Sequence, residues 1–197
     1  MKQNDFSDRQ IEIMEAATQR IDRYGIQELT IKNLSADIGV SEAALYRHFK
    51  SKNEIMLGLL TYFMQEMSQR VMDIISKEGK RPVERLRGVF SSQLKAFTQK
   101  PAIVSVIFSE GIFRFNKELS ATVSDLMDMM HDLIDSIIKE GQDDGSISNL
   151  VGHSTLATII LGSMRITVLK WKISGHTSDL IKDGNSVLNG ILKMIQK

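Results

Sequence analysis

The sequence predicts an all-α protein of about nine helices: a small N-terminal head of three, a long connecting helix, and a larger C-terminal bundle. Three observations carry this. Apolar residues recur at three- and four-residue spacing almost throughout the 197 residues, the period of a helix with one buried face. The two-residue alternation expected of strands is missing. Prolines number only two, so few positions are barred from a helix interior.

The first helix opens at Ser7, with Gln10 three residues on to complete a capping box and Phe6 stapling towards Ile11. Its inner face is Ile11, Met14, Ala17, Ile21 and Tyr24, and Gly25 closes it. Residues 30 to 52 read as two short helices at a sharp turn. Ile31, Leu34 and Ile38 share one side, and Gly39 supplies the left-handed conformation that ends a helix. Val40 packs inward, and Ser41 caps the next helix with its side-chain oxygen. That helix buries Leu45 and Phe49, leaving Glu42, Ala43, Tyr46 and Arg47 on the other side. So tight a turn makes the helices cross steeply, as in a helix-turn-helix whose second helix enters the DNA major groove.

A second capping box, Ser51 with Glu54, starts a helix that runs to about Lys77 through Ile55, Leu59, Phe63, Met67, Val71 and Ile74. Roughly 26 residues at about 1.5 Å each make a rod about 40 Å long. A helix, not a flexible linker, therefore joins the head (residues 1–52) to the body (residues 53–197). Gly79 to Pro82 breaks the chain, and Pro82 suits the first turn of a helix continuing to about Gln99. Pro101 opens a short helix ending near Gly111. The next begins near Asn116, runs through Leu119, Val123, Leu126, Met130, Leu133 and Ile137, and stops in the stretch Gly141 to Gly145. The last two span about His153 to Ile173 and Ser178 to Ile195.

Cysteine is absent, which excludes disulfides and thiolate metal sites. No apolar run approaches 20 residues, and the polar start lacks a signal-peptide stretch, so a soluble cytoplasmic protein is expected. Net charge is +1, and the first 52 residues hold eight Lys or Arg against eight Asp or Glu. The useful charge is local: Arg47, His48, Lys50 and Lys52 cluster with no acid between Ala43 and Asn53. A few placed cations suffice for phosphate contacts, but without a broad basic field non-specific affinity should be modest and its salt slope shallow.

The segment resembles the DNA-binding domain of the TetR family of bacterial transcriptional regulators. The shared string is Thr30-Ile31, Leu34-Ser35-Ala36, Gly39-Val40-Ser41, Leu45-Tyr46-Arg47-His48-Phe49 and Ser51-Lys52, dense over residues 10 to 60. The first turn of the recognition helix, Ser41, Glu42, Ala43 and Ala44, should sit deepest in the groove. Ala43 and Ala44 can offer methyl contact to thymine. Glu42 favours the helix N-terminus as an anion and could also accept from a cytosine amino group. Arg47 is the strongest candidate for a base or phosphate hydrogen bond. Tyr46, His48, Lys50 and Lys52 suit phosphate clamping, which the resemblance supports for Tyr46, His48 and Lys52. Thr30, with Lys32 beside it, stands where the first helix of the pair meets a phosphate. Packing beneath Phe49 is an equal alternative for His48; Thr30 can cap its helix and meet a phosphate at once.

In the body, Phe63, Met67, Phe90, Leu94, Phe97, Phe108, Phe113, Met127, Met130 and Met164 form a loose set, rich in Met and aromatic residues. They suit either ordinary core or a pocket for hydrophobic molecules. The resemblance implies a cavity between helices 4 to 8 whose ligand changes DNA affinity. The penultimate helix is apolar nearly all round, with Leu156, Ile160, Ser163 and Thr167 alternating with Ala157, Leu161, Met164 and Val168, and so must be covered on both sides. With Leu180, Val187, Ile191 and Ile195, and Gly162, Gly184 and Gly190 for close approach, it marks the last two helices as a homodimer surface. The resemblance implies the same four-helix contact. Asp125, Asp128, Asp132 and Asp135, with His131 beside them, read as a solvated face rather than a metal site. No nucleophile, base and orienting acid stand together, so neither catalysis nor a cofactor is expected. The reading is a homodimeric repressor released from a palindromic operator by a small hydrophobic effector. The alternative is a nucleoid or cell-division factor of the same fold that acts through a protein partner.

Overall fold

The computed structural model describes residues 6–76, 79–108 and 116–196. Among them stand nine α-helices: α1 (Asp8–Tyr24), α2 (Ile31–Asp37), α3 (Glu42–Tyr46), α4 (Lys52–Ile75), α5 (Pro82–Gln99), α6 (Pro101–Ile107), α7 (Lys117–Asp143), α8 (His153–Ile173) and α9 (Leu180–Ile195). A 3-10 turn spans Ile26–Glu28, and an isolated bridge pairs Ile147 with Gln196. The all-α expectation holds. No described helix is long and apolar enough to cross a membrane. The chain divides into two compact units, Met1–Met64 with Lys100–Val123, and Gln65–Gln99 with Ser124–Lys197. Helix α4 contributes residues to both.

In the first unit, α1 begins with the expected capping box: Gln10 N–H donates to Ser7 Oγ, and the Ser7 N–H donates to Gln10 Oε1 at 3.0 Å. Its buried face is Ile13, Met14, Ala17 and Ile21. Tyr24, expected inside, is 55% exposed and carries the Arg20 and Arg23 guanidiniums over its ring. Ile13 takes the inner position because the face is centred one residue away from the sequence estimate. Phe6 lies edge-on to Tyr62 of α4. The core is completed by Leu29, Leu34, Leu45, Phe49, Ile55, Leu59 and Leu60, with Ile103 and Val104 from α6, which packs against α1. Helix α6 ends at Ile107; Gly111, the expected stop, lies outside the described residues.

In the second unit, α9 packs against α5 and α8. Leu94 of α5 presses on Gly184 so closely that a Cβ there would lie 2.5 Å from Leu94 Cδ1. Ser91 donates to Asn185 at 2.7 Å, and Arg87 reaches Asn189. Gly184 thus serves contact within the chain, not between copies. Helix α7 runs past Gly141, expected to be a breaker, to Asp143. The glycine is there for space: a Cβ would meet Ile147 at 2.6 Å and Pro82 at 3.2 Å. The chain turns two residues later at Gly145 (φ +78°), and Ser148 N–H donates to Ile195 O at 2.7 Å, fastening the loop to the end of α9.

Candidate nucleic-acid interface

The turn between α2 and α3 is fixed by backbone geometry. Gly39 adopts φ +68°, its N–H donates to Ala36 O at 3.3 Å, and Val40 N–H donates to Ser35 O at 3.0 Å. This pair of bonds is the full Schellman pattern, closing the carbonyls that α2 leaves open. Thr30 Oγ1 accepts from Asn33 N–H at 3.1 Å and Ser41 Oγ from Ala44 N–H at 3.2 Å, so both helices are capped as their sequences suggest. Helix α3 is anchored by buried Leu45 and by Phe49 just beyond its end. Gln10 of α1 donates to His48 O at 3.4 Å. Arg20 of α1 grips Asp37 at the end of α2 with two of its nitrogens, Nε and, at 2.7 Å, Nη2. That bidentate bond holds the Asp37 carboxyl below the ordinary Asp value and raises the Arg20 guanidinium above its own.

The scaffold leaves one face of α3 outward. Ser41, Glu42, Ala43, Tyr46, Arg47 and Lys50 are exposed, while Ala44 and His48 are half-buried. Thr30 and Lys32 are exposed at the start of α2. Lys52 is half-buried, and its Nζ donates to Ile26 O at 2.7 Å; burial holds its pKa below the ordinary lysine value. An ammonium has three donors, so this bond orients Lys52 without exhausting it. The first turn of α3 is thus exposed, and the cationic side chains Arg47, Lys50 and Lys52 follow it directly in the chain.

The residues expected around an effector are distributed unevenly. In the second unit Met67, Phe90, Leu94, Phe97, Met130 and Met164 are buried, and Leu94 is committed to its Gly184 contact. Met127 is 38% exposed, at the margin of the α7 face that buries Leu126 and Met130. In the first unit Phe63 is buried and Phe108 half-buried; Phe113 lies outside the described residues. Sequence reasoning missed Gln93. It shares the α5 face of Phe90, Leu94 and Phe97 and is only 5% exposed. The available signal was a lone amide on an apolar helical face.

Helices α8 and α9 leave a stripe uncovered. Ile159, Ile166 and Ile173 recur at seven-residue spacing on α8 and are exposed, Ile173 at 77%, and Val187 and Met194 of α9 are exposed as well. Gly162 and Gly190 on the same faces meet no other residue. Several residues expected on this surface, Leu156, Ile160, Met164, Val168, Leu180, Ile191 and Ile195, are buried within the chain instead, because α5 and α9 claim that side of the helices. The acidic stripe of α7 is solvated at Asp125, Asp128 and Asp132. Asp135 differs, standing 2.5 Å from His153 Nδ1 and tying α7 to α8. No three His, Asp or Glu gather as a metal set among the described residues.

Residues 13–59 match the family model described as bacterial regulatory proteins, tetR family, and residues 59–194 match the YsiA-like protein, C-terminal region. The chain is 28% identical over 165 residues to the nucleoid occlusion factor SlmA of Photobacterium profundum, covering 83% of this chain and 84% of that protein. It is 25% identical over 178 residues to the fatty acid metabolism regulator protein of Bacillus subtilis, covering 90% and 91%. The fold superposes on the crystal structure of the transcriptional regulator FadR from Bacillus subtilis in complex with stearoyl-CoA. That superposition has a TM-score of 0.76 at 22% identity and covers 92% and 97% of the two chains.

Proposed function

The chain belongs to the TetR family of bacterial regulatory proteins and is a DNA-binding transcriptional regulator; from that premise we propose that it is a cytoplasmic homodimeric repressor released from a palindromic operator by a hydrophobic effector. Residues 1–52 read the operator and residues 53–197 carry effector and dimer contacts. The observation carrying the DNA reading is the exposed, cation-flanked face of α3 on a doubly capped, Schellman-closed turn. Arg47 and the first turn from Ser41 to Ala44 meet bases; Thr30, Lys32, Tyr46, His48, Lys50 and Lys52 meet phosphates. Two α3 helices must reach half-sites about 34 Å apart, or a multiple of that. The uncovered isoleucine stripe of α8 with Val187 and Met194 supplies the two-fold contact that sets this spacing.

For the effector we take an acyl thioester first. The relative named as a fatty acid regulator and the stearoyl-CoA complex support an acyl chain. Gln93 supports a polar group at depth, because it sets an amide that can both donate and accept on an otherwise apolar buried face of α5. Binding moves the α4 helix that both units share, and the effector must favour the state that does not bind DNA. The test is to capture genomic fragments on the purified protein and add C8 to C18 acyl-CoA. One enriched palindrome, released by acyl-CoA, is expected; no preference over random duplex ends the reading.

The 28% relatives named nucleoid occlusion factor favour a second reading, in which DNA is the effector and a protein the partner. A melting shift with acyl-CoA supports the sensor. No shift with any chain length, alongside intact operator binding, supports the partner.

A further inference from the structure

A cleft of about 180 Å3 opens among α1, α4 and α6, wholly within the first unit. Its floor is apolar, with Ile11, Met14, Leu59 and Ile103; its rim carries Glu15, Thr18, Gln19, Tyr62 and Lys100. An apolar cavity of roughly 150 Å3 takes a benzene ring, so the space fits one aromatic ring with a small substituent. The charges on the rim set which substituent. Lys100 Nζ stands 5.2 Å from the centroid of the Tyr62 ring, and this cation–π contact fixes a positive charge at the edge of the slot. The Gln19 side-chain amide can donate beside it. Thr18 already gives its hydroxyl proton to Met14 O at 2.8 Å, so it can only accept. Glu15 on the same rim disfavours a second negative charge on an occupant.

Met14 on the floor and Phe49 in the seat of the recognition helix pack over one point, Gly58 of α4. Met14 Sδ and Phe49 Cε1 both converge on Gly58, where a Cβ would lie 3.0 Å from the one and 3.2 Å from the other. Phe49 is buried three residues past the end of α3. Whatever displaces Met14 therefore bears on the residue that holds α3 in place, since close-packed side chains transmit displacement.

We propose that this cleft is a second effector site, for a small aromatic monocarboxylate, acting on the DNA-binding head independently of any occupant among the body helices. Phenylacetate is the probe, with the full-length protein labelled at its methionine methyl groups for NMR. The Met14 resonance should shift saturably with half-effect below about 20 mM, the affinity range of a fragment-sized ligand. Benzylamine should bind much more weakly. Lys100→Gln should weaken phenylacetate about tenfold, the loss expected of a charge-assisted contact. Thr18→Phe, which fills the slot from its rim, should abolish the shift, while Gln93→Leu should leave it unchanged. Saturating phenylacetate should also change affinity for duplex DNA in the wild type and not in Thr18→Phe. A Met14 resonance that does not saturate, or Lys100→Gln binding as well as the wild type, overturns the site. Saturable binding with unaltered DNA affinity overturns its role as an effector.

Discussion

Arg47 and Lys50 are both exposed just past the end of α3, yet their expected tasks differ. A side chain bonded to a base edge discriminates sequences, whereas one bonded to phosphate strengthens all of them equally. Arg47→Ala should lower operator affinity by about 1–3 kcal/mol and flatten the preference among operator variants. Lys50→Ala should weaken every duplex alike and reduce the salt slope by about one unit per head. Gel-shift titrations over a salt series separate the two, and a uniform loss from Arg47→Ala would reassign it to phosphate. Asp37 makes a different kind of claim. Its pKa is lowered by Arg20, so the pair stabilises the head above the unfolded carboxylate value of about 3.9 and ceases to as pH falls through the folded value. Melting temperature should be level from neutral pH to about 5 and drop below about 4. Asp37→Asn should melt lower at pH 7 and show a shallower acid limb; an unchanged limb would remove Asp37 from the linkage.

At the scale of elements, glycines mark where chain geometry and packing part company. Gly39 is needed for its positive φ, and Gly39→Ala should cost about 1–2 kcal/mol through that conformation alone, since nothing lies near its missing Cβ. Gly141 is helical and is needed for space. Gly141→Ala would gain about 1 kcal/mol of helix propensity and lose about 1–3 kcal/mol to overpacking against Ile147. Denaturant unfolding should report a net loss. It should shrink in an Ile147→Val background, where the nearest atom, Cδ1, is gone; a penalty of equal size there would mean that Ile147 is not its source. Both glycines look alike in sequence, which is why Gly141 reads as a helix stop until Ile147 and Pro82 are seen around it. Tyr24 misleads for a related reason: spacing places it on the inner face of α1, but two arginines stack on its ring in solvent.

For the molecule as a whole, the test of the regulator is its two-fold contact. Ile166 is 55% exposed at the middle of the α8 stripe. Burying one isoleucine per protomer contributes about 1.5–3 kcal/mol, counted twice in a symmetric pair. Ile166→Glu should therefore weaken self-association about a hundredfold or more in sedimentation. Operator affinity should fall with it while the helical content stays constant; a variant that still sediments as a dimer would move the contact elsewhere.

The sequence alone determined the helical class, the starts of all nine described helices to within two residues, the capped turn at Gly39 and the face that α3 presents. These depend on interactions within a few residues: caps, one left-handed glycine, and apolar spacing along one helix. Only the tertiary structure decided which apolar side of α8 is already covered by its own chain, that Leu94 fills a contact with Gly184 while Gln93 is buried beside it on α5, and that Asp135 pairs with His153. A helix that is apolar all round reads the same whichever neighbour covers it. The choice belongs to the residues that pack against it, and those are distant in the chain.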